Sequence, residues 1–484
     1  MMTEIKYLST RGQESNLNFE DVLLSGLARD GGLYLPNTWP RFSNLELNEM
    51  KNLDYISLAE KIISPFVGKE IRSKLYEMCR EVYSNFNHEE VVPIKKLDTN
   101  LYVMELFYGP TFAFKDYAMQ FLAHVFDYVL KEKKKKILIV GATSGDTGSA
   151  ALEAFKNNTN VDLFILFPNN KISLIQQKQM TTIFKKGCQS LAIQTDFDGC
   201  QSIVKSLFSD LNFKDEVKLS AINSINWVRL IPQVVYYFYG AFKLGAPNKK
   251  VNFSVPTGNF GNIFAGWVAK KMGLPINTLI CASNQNDILT RFFDSGTMER
   301  KSVEESYSPS MDIQVSSNFE RLLFEMLGRD SDALNFYMEQ FEKNKKFNID
   351  KPMLERFNDD FASFKVSDDG IIDEIKNTYN KSKYLLDPHS AVGVRAAKTA
   401  ISEGRVDDKI PLISLACAHP AKFPKVTEKS LNFSPKNPHA LELILEKKEN
   451  FKILNNQIHE IKSYIKNNMR SVSYTHLRAH ETSD

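Results

Sequence analysis

Short apolar runs that alternate with helix-patterned stretches constrain this chain more than any other feature. Ile137-Leu138-Ile139-Val140 and Leu163-Phe164-Ile165-Leu166-Phe167 are continuous apolar runs of strand length, and residues 148–156 between them carry a helical stripe of Ala151, Leu152 and Phe155. Runs of this kind fit strands buried on both faces of a parallel sheet. Val251-Asn252-Phe253-Ser254-Val255, Leu279-Ile280-Cys281-Ala282 and Leu412-Ile413-Ser414-Leu415 repeat the theme, with helices between them. The alternation predicts βαβ units and an α/β fold. Residues 1–95 read as a mixed, mostly helical lobe punctuated by the turn Asp30-Gly31-Gly32. Two α/β lobes follow over 96–245 and 246–428, the second with a charged, helix-like insertion over about 316–382 that has no strand runs. Residues 429–470 read as a C-terminal helical extension, and 471–484 lack apolar periodicity and read as a non-native tail. That tail removes His476 and His480 from consideration as metal ligands, despite their i,i+4 spacing.

Composition narrows the function classes. A hydrophobic fraction of 43% with 25% charged residues is the globular average and argues against a disordered chain. A net charge of +3 gives no general attraction to nucleic acid or anionic membrane. The basic run 131–136 reads as a solvated helix end before a buried strand. No apolar run reaches the length of about 18 residues that spans a bilayer, and the start has no secretory pattern, so a cytoplasmic location is expected. Five scattered cysteines with no Cys-x-x-Cys pair and no His/Cys cluster indicate neither a disulfide framework nor a metal site.

Three stretches carry chemistry. In Gly109-Pro110-Thr111-Phe112-Ala113-Phe114-Lys115-Asp116 a lysine ends an apolar, aromatic heptapeptide. Desolvation lowers a lysine's pKa, and a neutral amine adds to a carbonyl cofactor. The same residues also accommodate a snorkelling surface lysine paired with Asp116. The second stretch, Val140-Gly141-Ala142-Thr143-Ser144-Gly145-Asp146-Thr147-Gly148, follows a strand and opens a helix. It offers backbone N–H groups to an anion, or is a plain capped turn. It matches neither a Walker loop nor Gly-x-Gly-x-x-Gly. The third, Val255-Pro256-Thr257-Gly258-Asn259-Phe260-Gly261-Asn262, is again strand, glycine loop and helix, and its helix start favours a phosphate dianion. Two glycine-rich helix starts in one α/β chain suit a cofactor phosphate and a second anion.

Taken together, these stretches resemble the fold type II pyridoxal-phosphate enzymes, and within them the shorter microbial and fungal threonine synthase family. Further matches are Tyr7-Leu8-Ser9-Thr10-Arg11-Gly12, Asn223-Ser224-Ile225-Asn226-Trp227-Val228-Arg229, Ser308-Pro309-Ser310-Met311-Asp312-Ile313, Asp387-Pro388-His389-Ser390 and Ala418-His419-Pro420-Ala421-Lys422-Phe423. The resemblance implies two βα lobes with mainly parallel sheets plus N-terminal and inserted helical segments. It implies pyridoxal 5'-phosphate as cofactor, held covalently by Lys115, with Gly258, Asn259, Phe260, Gly261 and Asn262 around its phosphate. Asp146 falls near the cofactor's 3'-oxygen. Thr143, Ser144 and Thr147 fall at the substrate's α-carboxylate, and Arg11, Asn226 and Arg229 are candidates for the substrate phosphate. Cys417 stands where the family has Thr against the pyridine nitrogen, and a thiol is a weaker donor. His389 and His419 read as helix caps or as pocket wall.

The implied reaction converts O-phospho-L-homoserine and water to L-threonine and phosphate, with no metal, in a monomer or homodimer. A related dehydratase or cysteine synthase would share Lys115 and both glycine loops. A non-catalytic paralogue binding phosphorylated metabolites would keep the fold alone.

Overall fold

The computed structural model describes residues 4–143 and 145–470. Fifteen strands lie among these residues, in chain order β1 Tyr7–Ser9, β2 Tyr34–Pro36, β3 Ile94–Lys96, β4 Leu101–Glu105, β5 Ile137–Ala142, β6 Val161–Pro168, β7 Cys188–Ile193, β8 Leu219–Ser220, β9 Val251–Pro256, β10 Ile276–Ser283, β11 Thr297–Glu299, β12 Lys346–Asn348, β13 Phe361–Lys365, β14 Leu412–Ala416 and β15 Lys452–Leu454. A six-stranded sheet has the order β13-β10-β9-β14-β4-β3 and is parallel except for the edge pair β3–β4. A five-stranded, all-parallel sheet has the order β15-β7-β6-β5-β8. The expected runs occupy the interior of these sheets: every residue of β6 and β9 is buried. Full burial of each apolar side chain in β9 (Val251, Phe253, Val255) contributes about 1.5–3 kcal/mol.

Three expectations need correction. β4 lies in the stretch assigned to the first α/β lobe, yet it pairs with β14 in the six-stranded sheet, Leu101 opposite Leu412. The stretch 316–382 is not purely helical, because β13 closes one edge of that sheet against β10. The C-terminal extension also contributes a strand, β15, parallel to β7. Edge strands contact the core on fewer sides, so short and charged sequences serve there. The tail 471–484 lies outside the described residues.

The helix Trp227–Lys243 packs against the helices Lys115–Glu132 and Gly261–Lys271, and its residues 227–241 are all buried. The most apolar stretch of the chain is therefore a central core helix. Among the described residues no helix is long and apolar enough to cross a membrane. The loops holding Lys115, Asp146, Gly258 and Cys417 leave the carboxyl ends of β4, β5, β9 and β14. That end of a parallel sheet is where ligand crevices form in open α/β folds.

Candidate active site

Lys115 opens the helix Lys115–Glu132, after a loop that pairs with the chain leaving β14. Phe114 donates its amide to the Cys417 carbonyl at 2.8 Å, and His419 donates to the Phe112 carbonyl at 3.0 Å. Lys115 and Cys417 therefore come from adjacent, hydrogen-bonded segments. Asp116 is no counter-ion for the lysine: it is fully buried and accepts from the amide and hydroxyl of Thr111 at 2.8 and 2.7 Å. Desolvation pushes its carboxyl up to about 6. Desolvation also lowers the Lys115 amine, Asp146 opposes that effect, and the cations Arg229 and Lys422 add to it. A lysine with this bias yields a neutral nucleophile readily.

Asp146 opens the helix Asp146–Phe155 beyond β5. Its Oδ1 lies 2.7 Å from the Lys422 ammonium and accepts from Gln176 Nε2 at 2.9 Å. Desolvation would raise this carboxyl, but Lys422 and Lys115 outweigh it and hold the group well below the usual carboxylate range. Thr143 shapes this loop from within, its hydroxyl accepting the amides of Gly145 and Gly148 at 3.0 and 2.9 Å. Only its hydroxyl hydrogen is left to donate to a carboxylate. Thr147 is half-buried in the first turn, and Ser144 lies outside the described residues.

The third loop is an amide cradle. Gly258, Asn259, Phe260, Gly261 and Asn262 lead into the helix Gly261–Lys271, and among the described residues their backbone N–H groups have no acceptor. Phe260 adopts φ 63°, which turns the chain into the helix. The carbonyls of the loop are tied back instead: Ser316 Oγ donates to Gly258 O at 2.6 Å and Asn318 Nδ2 to Asn259 O at 2.9 Å. Asn262 Oδ1 accepts from Tyr236 and Tyr237 at 2.6 and 2.9 Å, while its Nδ2 is buried without a partner among the described residues. Free amides, a helix start and an orphaned amide donor fit a phosphate group. Together with the desolvated Lys115, these residues fit pyridoxal phosphate.

Cys417 follows β14, its amide donating to Ser390 Oγ at 2.9 Å and its thiol 3.8 Å from the Leu415 carbonyl. Burial, aided by Asp387, pushes this thiol far up, so it stays a neutral weak donor. Ser390 donates in turn to Asp387, the N-cap of the helix Pro388–Ser402. His389 Nδ1 lies 2.9 Å from the same carboxylate, and its Nε2 accepts the Ser310 amide at 3.2 Å. His419 caps the turn Pro420–Lys422 by accepting the Ala421 amide, and desolvation lowers it to about 4.

Of the three candidates for a substrate phosphate, one keeps a buried donor free among the described residues. Arg229 is buried, spends one nitrogen on the Ile222 carbonyl at 2.9 Å, and leaves Nε without a partner among the described residues. Desolvation lowers its guanidinium to about 10, so it remains a cation at neutral pH. Arg11 is instead held by Glu320 at 2.9 and 3.0 Å. Asn226 is the N-cap of the helix Trp227–Lys243: its Oδ1 accepts the Val228 amide at 3.0 Å and its Nδ2 donates to Leu23 O at 3.3 Å. Both are committed to packing the N-terminal lobe.

Family models match three stretches of the chain. Residues 6–83 match the threonine synthase N terminus, 88–417 the pyridoxal-phosphate dependent enzymes, and 390–465 the threonine synthase C-terminal region. A threonine synthase of Pseudomonas aeruginosa is 44% identical over 463 residues, covering 95% of this chain and 98% of that protein. The chain belongs to the threonine synthase family. Among solved structures, the PLP-bound threonine synthase from Brucella melitensis superposes with a TM-score of 0.93 at 46% identity, covering 97% of this chain and all of that one. Yeast threonine synthase gives 0.90 at 39% identity, covering 96% and 98%.

Within this threonine synthase fold, two supports of the site went unassigned from sequence. Lys422 is fully buried against Asp146, and Arg321 is fully buried with donors on the carbonyls of Tyr34 and Ile225 and on Asn318. Asn318 carries that brace to Asn259. A lysine or arginine in a local sequence looks solvated, and only the fold reveals its distant partner.

Proposed function

We propose that this chain converts O-phospho-L-homoserine and water to L-threonine and phosphate. Bound pyridoxal 5'-phosphate supplies an electron sink for carbanionic charge at the substrate's Cα and Cβ. Lys115 Nζ is the group that takes and returns protons at these carbons. The amides of Gly258 to Asn262 would hold the cofactor phosphate, and Cys417 would serve its ring nitrogen as a neutral neighbour. The N–H groups at the start of the helix Asp146–Phe155 receive the α-carboxylate, and Arg229 receives the substrate phosphate.

The observation that carries this reading is Arg229, a buried guanidinium with no carboxylate partner among the described residues and an unpartnered Nε. A dehydratase or cysteine synthase acting on smaller, unphosphorylated substrates has no use for that cation in addition to the amide cradle. The test is phosphate release from phosphohomoserine, measured beside serine turnover. Wild type is expected to prefer phosphohomoserine, and Lys115→Ala to lose at least about 1,000-fold in kcat. Arg229→Ala is expected to lower kcat/KM for phosphohomoserine about 10- to 100-fold, the worth of a charge-assisted contact, without weakening cofactor binding. Serine turnover exceeding phosphate release would overturn the reading.

A further inference from the structure

Lys422 is fully buried at the end of the turn Pro420–Lys422. Its ammonium lies 2.7 Å from Asp146 Oδ1 and donates to the Thr111 carbonyl at 2.9 Å. These partners sit on different elements, one at the start of the helix after β5 and one in the loop leading to Lys115. Gln176 shares the carboxylate oxygen and Gln179 shares the Thr111 carbonyl, at 2.9 and 3.0 Å. Burying such a pair brings little net stability, because desolvation offsets the attraction. A fixed pair of charges beside a reacting amine, in contrast, acts directly on its chemistry.

We propose that Lys422 is a positioning residue that fixes Asp146 against Lys115 and balances its charge there, so that the pair, rather than a lone carboxylate, sets the proton affinity of the reacting nitrogen. The inference rests on Lys115 being the cofactor lysine. The titratable groups whose charge acts on Lys115 are Asp146 at its helix start, Arg229 on the helix Trp227–Lys243, Lys422 in its turn and Cys417 after β14. Asp116, next in sequence, is occupied by Thr111. Removing Lys422 leaves Asp146 as an unbalanced anion and favours the protonated nitrogen. Removing Asp146 leaves two surplus cations and disfavours it.

The experiment is a pH titration of the cofactor's visible absorption band in the holoenzymes of wild type, Lys422→Met, Lys422→Arg, Asp146→Asn and the Lys422→Met/Asp146→Asn double variant. The midpoint is expected to rise by about one pH unit in Lys422→Met and to fall by about one in Asp146→Asn. The double variant is expected to return to within about 0.5 unit of wild type, and Lys422→Arg to titrate like wild type. Single variants shifting in the same direction, or a double variant that keeps the full shift of either single variant, would overturn the proposal. Should Lys422→Met fail to fold, Asp146→Asn and the double variant decide: an unchanged midpoint in Asp146→Asn sinks the idea, and a fall cancelled in the double variant supports it. Turnover is not needed for this readout. A wild type without the band would mark failure of the cofactor assignment, whereas a band with shifts of the wrong sign marks failure of the Lys422 assignment.

Discussion

Asp387 is a single buried carboxylate that organises two ends of the site. It accepts from the amide and ring of His389 and from the amide and hydroxyl of Ser390. Through Ser390 it fixes the Cys417 amide, and through His389 it fixes Ser310, whose carbonyl stands against Gly258. Asp387→Asn exchanges an acceptor for a donor and is expected to lose about 2 kcal/mol in chemical unfolding, together with weaker cofactor retention. Cys417→Thr, which places a stronger donor at the ring, is expected to tighten cofactor binding about 3- to 10-fold by equilibrium dialysis, the worth of one hydrogen bond. His419 gives a pH dependence of definite sign. Its folded pKa, lowered to about 4, lies below the ordinary 6.5, so the unfolded chain binds more protons between these values. Stability is expected to fall as pH drops through that window, and His419→Asn to flatten the fall in a series of thermal melts. The lysine was legible at this scale because an ammonium after six mostly apolar residues is anomalous wherever it occurs. In sequence an asparagine before a helix looks the same as a ligand or as an N-cap, and Asn226 caps its helix. The partner that holds Arg11, Glu320, is 309 positions away and out of reach of a local reading.

Among the elements, the Gly258 loop has little room beside the turn Pro309–Met311. A Cβ there would meet Ile313 Cδ1 at 3.0 Å, the Ser310 carbonyl at 3.1 Å and Met311 Cα at 3.3 Å. Two of these atoms are backbone and cannot rotate away. Gly258→Ala is therefore expected to weaken cofactor binding by about tenfold or more, the equivalent of roughly 1–3 kcal/mol of overpacking, while the melting temperature changes little. Interior strands were legible because parallel strands covered on both faces must be largely apolar, as β5, β6, β9, β10 and β14 are. β13 and β15 escaped for the converse reason. Phe361–Lys365 buries only its first two residues and Lys452–Leu454 only its last, so neither carries a run that separates it from its helical surroundings.

On the scale of the molecule, the C-terminal segment is structural rather than appended. Leu441 is fully buried in a cluster with Phe112 of the lysine loop, Ile175 and Ala421. Arg470 pairs with Asp162 of β6 at 3.0 Å. Leu441→Ala is expected to destabilise the protein by about 2–4 kcal/mol and to reduce turnover through Phe112, with unfolding curves and initial rates as the measurements. All five cysteines are buried as free thiols, so a thiol reagent is expected to label none in the native protein and all five in denaturant. The site itself draws Gly258 and Cys417 from the ends of the six-stranded sheet and Asp146 from the five-stranded one. A slip of one sheet past the other by a side chain's length would part Asp146 from Lys422 while both sheets kept their hydrogen bonds. The yellow of the loaded protein is thus a gauge of how its halves are seated, and on warming it should bleach before the far-ultraviolet dichroism begins to fade.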